Sequence, residues 1–297
     1  MELDLAQLRA LQSTVSEGSL DAAAKSLHVT PSAISQRLRA LEAATGRVLL
    51  VRSRPVRTTP SGEAMLRLAR QVDLLTADTV RELGDPSPAE GARPMALPIA
   101  VNADSLATWV LPALAPLAGS CAFDLRREDQ QHTSALLRDG TVMAAVTAEP
   151  DPVPGCSATR LGSMRYRPMA AAGFAARWFP DGATSAALAT APVVVFDRRD
   201  DLQHGWLRTR TGTAVDPPQH FVPSSADFVA AVRLGLGWGM VPDLQRTPED
   251  DGHLVALDQA GSVDVVLYWQ QWRLRSPTLD RVATALLAAA RVALDPA

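Results

Sequence analysis

Between residues 5 and 45 the apolar positions recur at steps of three and four. Leu5, Leu8, Leu11 and Val15 make one stripe, Ala23, Ala24 and Leu27 a second, and Ile34, Leu38 and Leu41 a third. The spacing predicts three short amphipathic helices whose apolar faces cover one another. Thr30 can cap the third helix, and Pro31 suits its first turn, where a missing N–H leaves no bond unmade. On the opposite side of that helix run Ser32, Ser35, Gln36 and Arg39, small, polar and basic, with no acid before Glu42. Such a face fits a major groove, where Gln pairs with adenine, Arg with guanine, and Ser with a phosphate or base edge. A solvated face on an ordinary helical bundle would have the same composition. The short turn, the capped third helix and the Arg52-Ser53-Arg54 wing together weigh against that alternative. The residues expected at DNA are Thr30, Pro31, Ser32, Ser35, Gln36, Arg37, Arg39, Arg52 and Arg54.

A further helix is predicted from Thr59-Pro60. Met65, Leu68, Val72, Leu75 and Thr79 alternate steps of three and four along it, the spacing of a coiled-coil seam, so Met65, Leu68, Val72 and Leu75 are the candidate dimerisation residues. The alternative is that this helix packs on the C-terminal part of its own chain. The pattern fades near Gly84, and DPSPAEGARP reads as a hinge. From Met95 the period switches. MALPIAVN, AFDLRRE, VMAAVT, RYRPMAA, PVVVF, HFVPS and VDVVLYWQQW read as strands, with helices around Trp109 to Leu117, Ser134 to Leu137, DFVAAVRLGLG and TLDRVATALLAAARVAL. Alternation of this kind predicts α/β units with largely parallel sheets.

Charge sharpens the division. The net charge is −3, but residues 1–58 hold eight Lys/Arg against five Asp/Glu, so they carry +3 and the remainder −6. Six arginines (37, 39, 47, 52, 54 and 57) stand against the single acid Glu42 in the stretch from Arg37 to Arg57, a surplus suited to phosphate contacts. No apolar run is long enough to span a membrane and no charged leader precedes one, so a cytoplasmic protein is expected. Cys121 and Cys156 have no metal or CxxC spacing and read as buried small hydrophobes, with redox sensing as the minor alternative. The five histidines show no ligand pattern. The chain contains no GxSxG elbow, Walker loop, GxGxxG fingerprint or HExxH, so no enzyme, metal or cofactor is expected.

The segment SLDAAAKSLHVTPSAISQRLRALEAATGRVLLVR, continuing into TTPSGEAML, resembles the N-terminal domain of the LysR-type transcriptional regulators. VNADSLATWVLPAL, LLRDGTVMAAVT, LGSMRYRPMAAAGFAARWFPDG and LGLGWGMVPD are similar to the branch of that family that senses basic amino acids and switches on their exporters; ADSLATW and GSMRYR are the distinctive parts. The resemblance implies a multidomain α+β chain. Its parts would be a winged helix-turn-helix over residues 1–58, a linker and dimerisation helix over 59–84, a hinge over 85–94 and an effector domain over 95–297. That last domain would be α/β and like a periplasmic binding protein, with subdomain I over 95–161 and 273–297, subdomain II over 162–272, and a small effector held between them. The implied partners are double-stranded operator DNA, a basic amino acid (lysine, arginine or histidine), a second copy in a homodimer or homotetramer, and RNA polymerase at an activated promoter.

Within that frame the cleft residues acquire a chemistry. MALPIAVN runs straight into Asn102-Ala103-Asp104-Ser105, where a hydroxyl and free N–H groups at a helix start, beyond a strand's carboxyl end, can seat a carboxylate. Asp104, Glu128, Asp129, Asp197 and Asp227 would complement a cation, and few cleft candidates are basic. Any one of these acids could instead cap a helix or face solvent, Asp104 and Asp227 above all. Carried over from the family branch, Asn102, Asp104, Ser105, Asp129, Thr147 and Asp227 would touch effector. Gln130-Gln131 depart from the acid expected there, which leaves the choice among basic amino acids open. Trp238 is expected to be structural. Two readings of other classes remain: a low-specificity architectural DNA-binding protein, which the large acidic C-terminal region disfavours, and an enzyme using the α/β cleft. A regulator of the same family with a different effector is the nearer alternative.

Overall fold

The structure, a computed structural model, describes residues 3–51, 53–83, 96–127, 133–259 and 261–296. Helix α1 (Leu5–Glu17) is capped by Asp4, α2 (Leu20–Ser26) by Ser19 and α3 (Pro31–Thr45) by Thr30 with Pro31 in the first turn. Ile34, Leu38 and Leu41 of α3 are buried with Leu8, Leu11, Ala24 and Leu49 in one cluster, as periodicity requires. Leu5 departs from the expectation: at the first turn of α1 it is half exposed and outside that core. The wing is an antiparallel pair, β1 (Leu50–Val51) and β2 (Arg57–Thr58), with Leu50 opposite Thr58. Glu42, the lone acid of the basic stretch, accepts a hydrogen bond from the Leu49 N–H at 2.8 Å and fixes the entry to the wing.

Helix α4 (Pro60–Glu82) starts on a Thr59 cap and ends two residues before Gly84; the expected hinge over residues 85–94 lies outside the described residues. Two of its edges are covered by its own chain. Met65 and Ala69 join the core of the three N-terminal helices, whereas Leu74 joins the C-terminal core. Polar contacts continue the second docking. The guanidinium groups of Arg67 and Arg70 donate to the carbonyls of Arg138 and Gly140, and buried Asp78 accepts from Ser276 and Thr278 at 2.5 Å each. Met65 therefore belongs to the core of its own chain, a correction to the predicted seam. Leu68 and Val72 are half-buried and Leu75 is 38% exposed.

The first α/β unit consists of β3 (Ala96–Val101) between parallel neighbours β4 (Ala122–Arg127) and β5 (Ala144–Thr147). Between β3 and β4 the chain makes one helical turn, α5 (Ala103–Ser105), a π-turn over Leu106–Val110, α6 (Leu111–Leu114) and a 3-10 turn over Ala115–Leu117. Helix α7 (Thr133–Arg138) leads into β5. The long strand β6 (Cys156–Ala171) then leaves for the second unit, which contains α8 (Ala172–Trp178), α9 (Ser185–Thr190), β7 (Val193–Val195), α10 (Leu202–Thr211), β8 (Gln219–Phe221) and α11 (Ser225–Arg233). After β9 (Gly239–Pro242) and β10 (Leu254–Ala256), strand β11 (Val263–Trp272) returns, and α12 (Pro277–Ala293) packs on α6 and the π-turn.

The sheet order is β10-β6-β11-β5-β3-β4, with β9 also on β6. The expectation of largely parallel sheets is corrected here. Among the strands of the described residues, only β3 with β4 and β5, and β7 with β8, form parallel ladders; β5, β6, β9, β10 and β11 are joined by antiparallel ladders. The reason is topological. Two strands, β6 outward and β11 inward, carry the chain between the units, so they run side by side in opposite senses. The ladder between them slips at Leu267/Tyr268, opposite Gly162. Gly162 has φ 142, and a Cβ there would lie 2.8 Å from the Leu294 side chain, so only glycine fits. The last five residues of β11, Tyr268–Trp272, run beside β6, and Tyr268 to Gln271 also pair with β5 of the first unit, whereas the sequence division places them in subdomain II. Trp238 is fully buried, its ring 5.2 Å from that of Trp206. No helix among the described residues is long and apolar enough to cross a membrane.

Candidate effector cleft and nucleic-acid interface

At the start of α3, Thr30 accepts from the Ala33 N–H at 3.2 Å, so its hydroxyl serves the helix start. Ser32, Gln36 and Arg39 are exposed along one face, and Ser35 is half-buried beside them. Arg39 folds back to donate to the Ser35 carbonyl at 3.2 Å. Pro31 is exposed at the helix entrance. Arg37 is half-buried and, one residue on from Gln36, lies about 100° round the helix. It flanks the face instead of joining it. Arg54 is exposed between the wing strands, and Arg52 lies outside the described residues.

The second site is a cavity of about 310 Å³ between the two α/β units, a volume suited to a small ligand. Asn102, Ala103, Asp104 and Arg127 line it from the first unit, at the carboxyl ends of β3 and β4; Tyr166 and residues 196, 197 and 199–203 line it from the second. Asn102 is buried with neither amide atom hydrogen-bonded. Asp104 ties the units together. It accepts from the Tyr166 hydroxyl at 2.8 Å, the Ser225 hydroxyl at 2.6 Å and, more distantly, the Gln245 amide at 3.5 Å. Burial pushes its carboxyl above the usual range, and the two hydroxyls only partly offset that. Asp200 is also pushed up, first by burial, with the charge of Asp104 adding to it against the N–H groups of Leu202 and Phe196.

Other expected residues fall elsewhere. The helix starts at Ala103, so Ser105 sits inside its first turn; its hydroxyl is buried without a partner but does not line the cavity. Asp197 does line it, with one oxygen accepting from the N–H groups of Arg199 and Asp200 in a local turn. Asp227 is corrected: it is exposed in the first turn of α11, away from the cavity, where it suits the helix dipole. Thr147 is buried at the end of β5, accepts from the Glu149 N–H at 3.2 Å and is not part of the lining. Glu128, Asp129 and the Gln130-Gln131 departure lie outside the described residues.

Sequence reasoning missed Tyr166, Asp200, Gln203, Ser225 and the bases Arg127 and Arg199. The expectation of few basic groups is thus corrected by two arginines in the wall, one of them, Arg127, 5.9 Å from the Phe196 ring across the cleft. Tyr166 falls in the distinctive GSMRYR segment, and Asp200 in the acid-rich run after β7; those were the available signals. Cys121 and Cys156 are buried thiols not joined to each other, and burial raises both, Cys156 to about 11.

A winged helix-turn-helix joined by a long helix to a two-part α/β unit with a charged interior cleft defines a ligand-responsive DNA-binding regulator. Residues 5–63 match the bacterial regulatory helix-turn-helix protein, lysR family, and residues 96–291 the LysR substrate binding domain. The chain belongs to the LysR family of transcriptional regulators. It is 43% identical to a lysine export transcriptional regulatory protein of Corynebacterium efficiens, over 97% of this chain and 98% of that one. It superposes on the crystal structure of ArgP from Mycobacterium tuberculosis with a TM-score of 0.85, at 44% identity and covering both chains fully. Against the full-length regulator LysG of Corynebacterium glutamicum with bound effector Arg, the TM-score is 0.76 at 38% identity, over 99% of this chain and all of the other.

Proposed function

We propose that this regulator binds a basic amino acid, arginine or lysine, in the cleft between its α/β units, and that occupancy controls transcription of an amino-acid exporter gene. The observation that carries the reading is the pair of carboxylates, Asp104 and Asp200, that line one cleft, are both pushed up by burial and take part in no salt bridge among the described residues. A ligand cation would relieve both. Asn102 supplies an unpartnered donor and acceptor on the same wall, and Arg127 a counter-charge for an α-carboxylate. The relative crystallised with arginine supports the ligand class, and the lysine export regulator supports the target.

DNA is read by Ser32, Ser35, Gln36 and Arg39 from α3, with Thr30 and Pro31 setting the helix start and Arg37, Arg52 and Arg54 as phosphate contacts. Two copies joined along the open edge of α4, at Leu68, Val72 and Leu75, present two such helices to two half-sites. Ligand control follows if the two arrangements of the α/β units differ in affinity for the amino acid. Calorimetric titration with lysine, arginine, histidine and leucine, beside an operator-shift assay, tests the reading. Saturable binding of a basic amino acid that is weakened by Asp104→Asn is expected; binding of leucine as tight as that of arginine would reject it.

A further inference from the structure

Among the described residues, six charged side chains line the cleft: Asp104, Asp197, Asp200, Asp201, Arg127 and Arg199. Two of the acids are already engaged. Asp197 closes its own turn, and Asp201 holds Arg208 through both oxygens, at 3.2 and 2.6 Å. Asp104 receives the hydroxyls that close the cleft. Asp200 is set apart by the unpartnered acceptor beside it, the Gln203 Oε1. It faces the cavity from the second unit, and its donors are the N–H groups of Leu202 and Phe196 and the side chain of Gln203, all neutral. Gln203 is itself only 1% exposed, lines the same cavity, and its Oε1 has no partner. A carboxylate and a neighbouring unpartnered amide oxygen, both at the wall, form an acceptor set for a cation with several N–H groups. The opposite wall carries what the other end of an amino acid needs: Arg127 for the α-carboxylate, and Asn102, 2% exposed with both amide atoms unpartnered.

We propose that Asp200, supported by Gln203, is the specificity-determining residue that reads the side-chain cation of the effector, while Asn102 and Arg127 receive its α-end. This rests on the cleft being the site of a basic amino acid, and it adds which wall reads which end. Neutral amino acids are rejected because they leave the Asp200 carboxylate without a counter-charge and the Gln203 oxygen without a donor.

The test compares arginine with citrulline, which keeps the length and replaces the guanidinium by a neutral ureido group. Wild-type protein is expected to bind arginine at least about tenfold tighter than citrulline. In Asp200→Asn that ratio should collapse toward one, with citrulline affinity within about threefold of wild type. An equal loss for both ligands would place Asp200 at the α-end and overturn the proposal, as would an unchanged ratio. Gln203→Leu, which keeps the carboxylate, should weaken arginine by about threefold or more relative to norleucine; it carries the test if the first variant does not fold, and equal affinities for the two ligands relative to wild type would count against the proposal. Wild-type protein that binds neither arginine nor lysine would reject the effector class itself, a result distinct from a wild type that binds arginine and an Asp200 variant that binds it equally well.

Discussion

Asp104 is a single carboxylate with two consequences. Because burial raises it, the folded protein holds its proton more tightly than the unfolded chain, and the same is true of Asp200. The ligand-free protein therefore gains stability from these groups as pH falls from neutral toward their raised values, and carries the penalty of their charge at higher pH. Asp250 behaves oppositely: held at about 2 by Arg233, it contributes stability above the ordinary carboxylate range that is lost as pH falls. Asp104→Asn should consequently be at least as stable as wild type at pH 7, with its advantage shrinking at pH 5; thermal melts at the two pH values check this, and an advantage growing on acidification would mean that Asp104 is stabilised by a cation. The DNA-facing residues separate similarly. Gln36→Ala should relax base selectivity, whereas Arg54→Ala should weaken all sequences alike and lower the salt slope by about one. Binding to an operator and a scrambled duplex across salt concentrations distinguishes the two. Asp104 was legible because it follows a strand end directly. Asp200, Tyr166 and Arg127 were not, because membership of a cleft wall depends on how β6 and β11 cross between units, and local spacing carries no trace of that.

Among the elements, the helices were legible wherever one face is buried: the 3.6 period shows in α3 as Ile34, Leu38 and Leu41 and in α12 as Leu279, Val282, Leu286 and Ala290. Strands of three or four residues, such as β9 and β10, are too short for alternation to show. The π-turn after α5 carries no composition signal either. The full length of β6 was hidden because burial in its first half does not alternate: Ser157 and Ala158 are half-buried and Thr159 and Arg160 both exposed, although all four pair with β11. The most demanding junction is between the wing and α4. Thr59 donates from its N–H to the Leu49 carbonyl at 2.9 Å and from its hydroxyl to the Val48 carbonyl at 2.7 Å, which welds the helix start to the two residues that lead into the wing. Gly62 is the point of closest approach, since a Cβ there would collide with the Leu49 carbonyl oxygen. Gly62→Ala should destabilise the DNA-binding unit by about 1–3 kcal/mol through overpacking. Gly46→Ala, where φ is 62 but nothing lies within 4 Å, tests backbone strain alone and should cost about 1 kcal/mol. Denaturant melts of the two variants check this; equal losses would mean that the close contact relaxes without effect.

On the scale of the whole molecule α4 joins the N-terminal helices to the first α/β unit, and its edges divide the work. Met65 and Ala69 hold the DNA-binding unit, Leu74 and Asp78 hold the effector domain through Ser276 and Thr278 at the start of α12, and Leu75 stays open to solvent. The docking weighed as the alternative to the seam is present, and Leu68, Val72 and Leu75 of the predicted seam lie on an edge a residue or two away from it. A helix held on two edges by its own chain can offer only a narrow third edge to a second copy, so each apolar position on it matters more than in a free coiled coil. Leu75→Asp places a charge on that edge without touching either intramolecular docking. The variant should sediment as a smaller species than wild type and lose operator affinity by about a hundredfold, because two half-sites are no longer engaged together, while its thermal stability and arginine binding stay unchanged. Asp78→Ala should do the reverse, leaving the oligomer intact and lowering stability, since the hydroxyls of Ser276 and Thr278 lose their shared acceptor. A Leu75→Asp protein that sediments and shifts operator DNA like wild type would mean that the copies meet elsewhere and that the open edge of α4 is simply solvated.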